Sequence, residues 1–369
     1  MKVLYIGNYR DGTGWANACA GNILALDAAG VEVVPRAISF NSQDTEYPQR
    51  IKELEAKYSS RSSNNDCDTV IQHTLPHLYC YNSAYKNIGF FDSESHDFSM
   101  TAWHYYANMM DEIWVPSQQN LEAARRSGVK VPIKIVPHSI DINSYSNGFF
   151  TKSRGRKIQQ MEDSFTFGFV GEFIERKNLK ALVQAFHIEF DPREPVNLFI
   201  KTSRADLDTV QGYCTAVKNG LKIRSKYKEE IVLAGILPKD DYISVMGQIN
   251  SFVMPSRGEA FCIPALEAMA LGIPAIYTDG IGMDFCVGTP VKSKLTPCFG
   301  AVDTLPDIDT AETLWSEIDI LELSKAMRDA YNKYHTNDEK EQRQECLSTA
   351  KNFDHQSVGK IMKELLSDS

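Results

Sequence analysis

The sequence predicts an α/β protein built from two Rossmann-like domains, each a parallel sheet covered by helices, with a cleft between them. Three observations carry this expectation. Short β-branched runs alternate with helical stretches instead of meeting in two-residue turns, which implies parallel strands buried on both faces. The alternation breaks in a polar, basic stretch at 143–163 and then restarts. The length of 369 residues corresponds to two domains at about 150 residues each.

In the first half, residues 1–6 read as a strand and 16–29 as an amphipathic helix closed by Gly30. Strands follow at 31–34, 69–73, 87–91, 111–115 and 133–136, with a helix at 118–127 closed by Gly128. The stretch 143–163 has no sustained apolar period and reads as a linker or exposed excursion. Beyond it, strands at 165–170, 196–201, 231–234, 251–254 and 275–278 alternate with helices at 179–186, 240–248 and 264–270. A last helix is expected at 358–366. The expected domains are 1–150 and 163–345, followed by a C-terminal segment, 346–369.

Composition narrows the function. Hydrophobic residues are 43% and charged residues 24% of the chain, a globular balance that excludes disorder and fibrous repeats. The 39 basic and 48 acidic side chains leave a formal charge of −9, which argues against general nucleic-acid binding. No apolar run reaches the ~18 residues of a membrane span. The opening MKVLYIGNY turns polar too early for a secretory signal. Eight cysteines without a CxxC pair point to reduced thiols in a cytoplasmic protein, rather than to disulfides or zinc.

The segment 255–276, PSRGEAFCIPALEAMALGIPAI, is the most informative. Pro264 suits a helix start and Gly272 its end. Glu259 then falls on the loop after a strand, and Glu267 about one turn into the helix. The amides of Phe261, Cys262 and Ile263 would point out of the helix N-terminus, where free N–H groups and the macrodipole favour a diphosphate. Glu259 could accept from sugar hydroxyls and Glu267 from a ribose. The string P-S-x-x-E-x-F-x-x-P-x-x-E-A-M-A-x-G-x-P closely resembles the E-x7-E signature of retaining glycosyltransferase family 4, which has the GT-B fold.

The resemblance extends over most of 1–285. Residues 167–186, FGFVGEFIERKNLKALVQAF, are similar to the strand, glycine loop and helix that open the nucleotide-binding domain in that family. Lys177 matches a lysine that touches the donor diphosphate. The family's preceding arginine is replaced by Glu172, and Arg176 is the candidate to supply the charge. Residues 111–141 carry the W-V-P-S and V-P-H-x-I-D landmarks of the family's acceptor domain. The first loop carries Gly12 and Gly14 where the family places a glycine turn near the donor. As a dinucleotide fingerprint that loop fails, because Asn17 stands where a third glycine belongs and Pro35-Arg36 where an acid belongs.

The resemblance implies an N-terminal acceptor-side domain, a C-terminal nucleotide-sugar domain and a last helix packing back on the first. It implies metal-independent sugar transfer from a nucleoside-diphosphate sugar to a hydroxyl, with retention and no separate cofactor. The residues implied are Lys177, Arg176, Glu259 and His96 for catalysis, with Gly12, Gly14, Phe261, Cys262, Ile263 and Glu267 for the donor. Cys262 has no basic partner in view to make it a nucleophile. Among other residues, His73 and His138 read as satisfying backbone groups at a domain edge, and Trp103, Tyr105, Tyr106 and Trp114 as core. Asp66-Cys67-Asp68 and Asp307-Ile308-Asp309 are poor metal motifs, and no metal ligands are expected. The basic cluster Lys152, Arg154, Arg156 and Lys157 reads as a solvated linker, with weak peripheral contact with anionic lipid as the lesser reading. Competing functions are a non-catalytic nucleotide-sugar binder, favoured by Glu172, Ala260 and Cys262, and a nicotinamide-dependent dehydrogenase.

Overall fold

The computed structural model describes all residues except 41–44, 61–65, 147–157, 224–226, 299–309 and 368–369. The basic cluster Lys152, Arg154, Arg156, Lys157 and the motif Asp307-Ile308-Asp309 lie outside the described residues. The chain divides into a first unit, Met1–Asp141 with Lys351–Ser369, and a second, Ile142–Ala350.

In the first unit, β1 (Lys2–Gly7), α1 (Gly14–Ala28), β2 (Glu32–Ala37), α2 (Gln49–Lys57), β3 (Thr69–His73) and β4 (Lys86–Phe90) follow in order. They continue as α3 (Trp103–Ala107), β5 (Glu112–Val115), α4 (Gln118–Arg126) and β6 (Ile133–Ile135). The six strands form one sheet in the order β2-β1-β3-β4-β5-β6, every neighbouring pair parallel. Buried apolar side chains drive this arrangement: Val3, Ile71, Ile88, Phe90 and Trp114 have no solvent exposure. Thr13 caps α1 by accepting from the Ala16 amide, and Ser117 caps α4 through the Asn120 amide. The order reverses direction between β1 and β3, and in open α/β sheets the ligand crevice lies beyond the strand ends at such a point.

The second unit begins with α5 (Ile142–Ser146), then β7 (Phe165–Glu172), α6 (Leu179–Glu189), β8 (Val196–Ser203), α7 (Leu207–Leu221) and β9 (Ile231–Ala234). It continues with α8 (Lys239–Met246), β10 (Ser251–Met254), α9 (Ile263–Ala270), β11 (Ala275–Thr278) and β12 (Gly288–Val291). A two-stranded antiparallel sheet, β13 (Ser293–Pro297) with β14 (Leu314–Ile318), and the helices α10 (Ile320–Asn332) and α11 (Asn337–Ala350) complete it. Its main sheet is parallel, in the order β12-β11-β10-β7-β8-β9, with the reversal between β10 and β7. The last helix, α12 (His355–Ser367), belongs to the first unit, where Val358, Met362 and Leu366 enter the core beside α1 at helical spacing.

Two expectations need correction. The stretch 143–163 is not wholly a linker: its start forms α5, which is anchored by the buried side chain of Tyr145. Tyr105 is 68% exposed rather than core. In the single turn and a half of α3, Trp103 and Ala107 face inward, four apart, which turns Tyr105 out. The sequence reading also left out α2, α3, α7, β12, β13, β14, α10 and α11.

Candidate functional site

The site is built at the reversal of the second sheet, where chain leaving β7 and chain leaving β10 meet. After β7 the residues Glu175–Lys177 make one 3-10 turn, and Asn178 follows in the left-handed region at φ 53°. That conformation suits asparagine, whose side chain then caps α6 by accepting from the Ala181 amide. The turn is tied to the β10 loop: the Arg257 amide donates to the Arg176 carbonyl at 2.8 Å. The Arg257 side chain donates to Glu175 Oε1 at 2.8 Å and also pairs with Glu317 on β14. This bracing fixes the backbone that carries Arg176 and Lys177.

Glu259 is 4% exposed and sits at the centre. Lys177 Nζ donates to both its oxygens, at 2.7 and 2.9 Å. Arg176 Nη1 lies 3.4 Å from Oε1 and donates to the Gly258 carbonyl at 2.6 Å. Burial alone would raise the Glu259 pKa, but the charges of Lys177 and then Arg176 hold it below the ordinary glutamate value. Gly282 backs the loop, its amide donating to the Glu259 carbonyl at 2.8 Å. A Cβ at Gly282 would come within 2.1 Å of the Ala260 carbonyl oxygen, so only glycine allows this approach.

Helix α9 begins one residue earlier than expected, with Ile263 first and Pro264 second. Cys262 occupies the cap position without a side-chain hydrogen bond to the helix. Its buried thiol is pushed up to about 12, mainly by desolvation, and stays protonated. Phe261 stacks on Phe285 with centroids 4.2 Å apart. Deeper in α9, Glu267 accepts from Tyr145 Oη at 2.5 Å and from Tyr242 Oη at 2.6 Å. Burial raises the Glu267 pKa despite these two donors. Lys201, near the carboxyl end of β8, is pushed below the ordinary lysine value by burial, partly offset by Glu267.

The structure therefore brings Arg176, Lys177 and Glu259 together beside Phe261, Cys262 and Ile263 at the tip of α9, with Glu267 further along the same helix. Glu172, standing at the family's arginine position, pairs with Arg204 at 3.2 Å. Arg204 is itself held at φ 65°. A hollow beyond β8 and β9 is lined by Ala205, Leu207, Ala234 and Gly235. Sequence reasoning missed Tyr145, Tyr242, Lys201, Arg204, Arg257 and Gly282. Tyr242 and Lys201 stood on elements it had found, but no pattern in the sequence ties them to Glu267.

The remaining expected residues lie in the first unit. Gly12 has φ 70°, and a Cβ there would meet Thr45 Oγ1 at 2.8 Å, so the chain itself occupies that space. Gly14 opens α1 with no atom within 4 Å of its would-be Cβ. His96 follows β4; its carbonyl accepts from Arg126 at 2.9 Å, and its pKa is lowered by burial and then by Arg126. His73 and His138 go beyond expectation, because their rings bond side chains. His138 Nε2 lies 3.1 Å from Asp92 Oδ1, and His73 Nδ1 lies 2.7 Å from Tyr5 Oη. Burial works against the Asp92 charge, yet His138 and then His73 hold its carboxyl well below the usual range.

A family model described as glycosyl transferases group 1 matches residues 152–285. This corrects the family read from the sequence: the Glu259–Glu267 string lies within a group 1 match, not a family 4 one. One short string describes a helix tip, whereas the model weighs the whole segment. The serotype-specific mannosyltransferase WbdA of Escherichia coli is 29% identical over 145 residues, 36% of this chain and 16% of WbdA. The chain thus aligns with about a sixth of that curated relative's length. Among solved structures, Anabaena HepE in complex with UDP-glucose superposes with a TM-score of 0.64 at 16% identity, covering 100% of both chains. Sucrose-phosphate synthase from Thermosynechococcus elongatus gives a TM-score of 0.64 at 15% identity, covering 100% of this chain and 98% of that one. The two parallel Rossmann-like sheets are those of the GT-B fold.

Proposed function

We propose that this chain is a glycosyltransferase that moves a sugar, of hexose type, from a nucleoside-diphosphate donor to an acceptor hydroxyl with retention of configuration. The observation that carries the reading is the joining of Lys177 and Arg176 to Glu259 beside the uncapped tip of α9. It is supported by the match to glycosyl transferases group 1 and by likeness to a mannosyltransferase. The carboxyl-end position at the sheet reversal is where such a fold binds ligands.

The diphosphate docks at the tip of α9, where the amides of Cys262 and Ile263 and the helix dipole favour negative charge. An ammonium has three N–H donors, and Glu259 takes two of those on Lys177, so one remains for phosphate. Glu259 meets the sugar hydroxyls, Glu267 the ribose, and the hollow beyond β8 and β9 the base. As the C1–oxygen bond breaks, its electron pair stays on the leaving phosphate, whose new charge Lys177 and Arg176 stabilise. The acceptor oxygen then bonds C1 on the same face, and its proton passes to the departing phosphate oxygen. These cations do at the leaving group what a divalent ion does in other transferases. The first unit is assigned the acceptor, with His96 as its candidate catalytic residue and Gly12 and Gly14 as candidate donor contacts.

The test is release of nucleotide and transfer of label from a panel of nucleoside-diphosphate sugars. Lys177→Ala and Glu259→Ala are each expected to lower kcat/KM at least tenfold, about 1.4 kcal/mol of transition-state stabilisation. Unchanged turnover in either folded variant removes the assigned roles. Tight donor binding without turnover in the wild type indicates a binding module instead.

A further inference from the structure

The first unit holds a second cluster that the transferase reading does not use. His73 ends β3, Asp92 follows β4 and His138 follows β6, so three strands of one sheet deliver them to the same edge. This is the carboxyl edge of the sheet, and β1 and β3, which flank its reversal, supply Tyr5 and His73. One donor atom from each of the three residues lies within 4.8 Å of the other two. His73 is 0% and His138 1% exposed, while the Asp92 side chain retains 14%, which leaves an opening on one side.

The orientation of the rings is set from outside. His73 Nδ1 lies 2.7 Å from Tyr5 Oη, and His138 Nδ1 lies 3.4 Å from Asn22 Nδ2. Turning the Asn22 amide over brings its Oδ1, which has no hydrogen-bond partner, to accept from Nδ1–H and frees Nε2 for an ion. Both Nε2 atoms therefore face Asp92, in the way outer hydrogen bonds aim histidine ligands at an ion. His73 also stacks on Phe90, with centroids 4.3 Å apart, which locks the ring.

A proton alone does not satisfy this cluster. It can bridge His138 Nε2 and Asp92 at 3.1 Å. His73 Nε2 stands 3.9 Å from Asp92 Oδ2, beyond a hydrogen bond, and is buried without a partner. An ion at the centre reaches all three donors. Ligands about 2.1 Å from a tetrahedral ion stand about 3.4 Å apart, so the three donor atoms, which lie within 4.8 Å of one another, draw together by up to about 1.4 Å on binding. Two imidazoles and one carboxylate with an open fourth position suit zinc among the available divalent ions.

We propose that His73, Asp92 and His138 form a binding site for a divalent transition-metal ion of the zinc class, with a fourth position open towards Asp92's exposed side. The inference is independent of the transferase reading and of Lys177, Glu259 and the second unit.

The full chain, stripped with a chelator, is titrated with Zn2+ by calorimetry, and the zinc-loaded wild type is measured by X-ray absorption. One ion per chain is expected, in a shell of nitrogen and oxygen ligands that includes imidazole and lacks sulfur. His73→Gln and Asp92→Asn are each expected to weaken binding at least tenfold while keeping the wild-type circular dichroism. No saturable binding, a sulfur-containing shell, or affinity unchanged in both folded variants overturns the site and leaves a proton-linked network only. If the variants do not fold, the ligand shell of the wild type still decides.

Discussion

At the scale of single residues, two glutamates eight apart have opposite electrostatic fates. Glu259 is held below the ordinary value of 4.5 by Lys177 and Arg176 against its own desolvation, so it contributes stability above about 4.5 that is lost as pH falls through its folded pKa. Glu267 accepts from two tyrosine hydroxyls, and burial raises it above 4.5 against these donors and the more distant Lys239 and Lys201. The folded state then binds this proton more tightly than the unfolded state does. Stability therefore falls as pH rises from about 4.5 through the raised value. Glu267→Gln is expected to remove that decline: the difference in unfolding free energy between variant and wild type grows in the variant's favour over this range. Denaturant titrations at several pH values measure it, and a difference that stays flat would show that Glu267 is not strained by burial. The same variant is expected to bind the donor less well, since the carboxylate is assigned to the ribose.

At the scale of elements, the site depends on loops that carry no activity of their own. Gly282 lets its loop press on the Glu259 and Ala260 carbonyls. Gly282→Ala must displace backbone, not a flexible side chain, and is expected to cost about 1–3 kcal/mol of stability and to lower turnover with Lys177 and Glu259 intact. Stability and activity unchanged in Gly282→Ala would mean that the loop adapts. The same scale shows what the sequence makes legible. The strand Ser251–Met254, buried on both faces, reads directly as an apolar run, and Thr69–His73 is marked by its β-branched start, Thr-Val-Ile. Helix α9 was equally plain, because Pro264 and Gly272 mark its ends. By contrast α11 buries only Cys346 and Ala350 and is polar from Asn337 to Glu345, so it lacks an apolar period to read. Helix α5 was hidden for another reason: Tyr145 is a single buried anchor in a polar stretch, and its partner Glu267 is 122 residues away. The His73–Asp92–His138 cluster is invisible for the same cause, since the sheet order, and not sequence spacing, assembles it.

At the scale of the whole molecule, each unit is a doubly wound parallel sheet, and the chain returns at its end to the unit in which it began. Met362 in α12 is fully buried in the core of the first unit, so Met362→Ala is expected to destabilise that unit by about 2–5 kcal/mol. A first-unit unfolding transition at an unchanged denaturant midpoint would show that α12 is not part of that core. In the second unit the sheet reversal, the braced turn of Arg176 and Lys177, and the tip of α9 converge on one place. The central claim is that a nucleoside diphosphate binds there. Calorimetric titration of the wild type and Lys177→Ala with UDP, GDP and ADP tests it most directly. The account predicts saturable binding of at least one of these nucleotides to the wild type, weakened about tenfold or more in the variant, or ~1.4 kcal/mol. Binding of equal strength to both folded proteins, or none of the three nucleotides bound by the wild type, would contradict it.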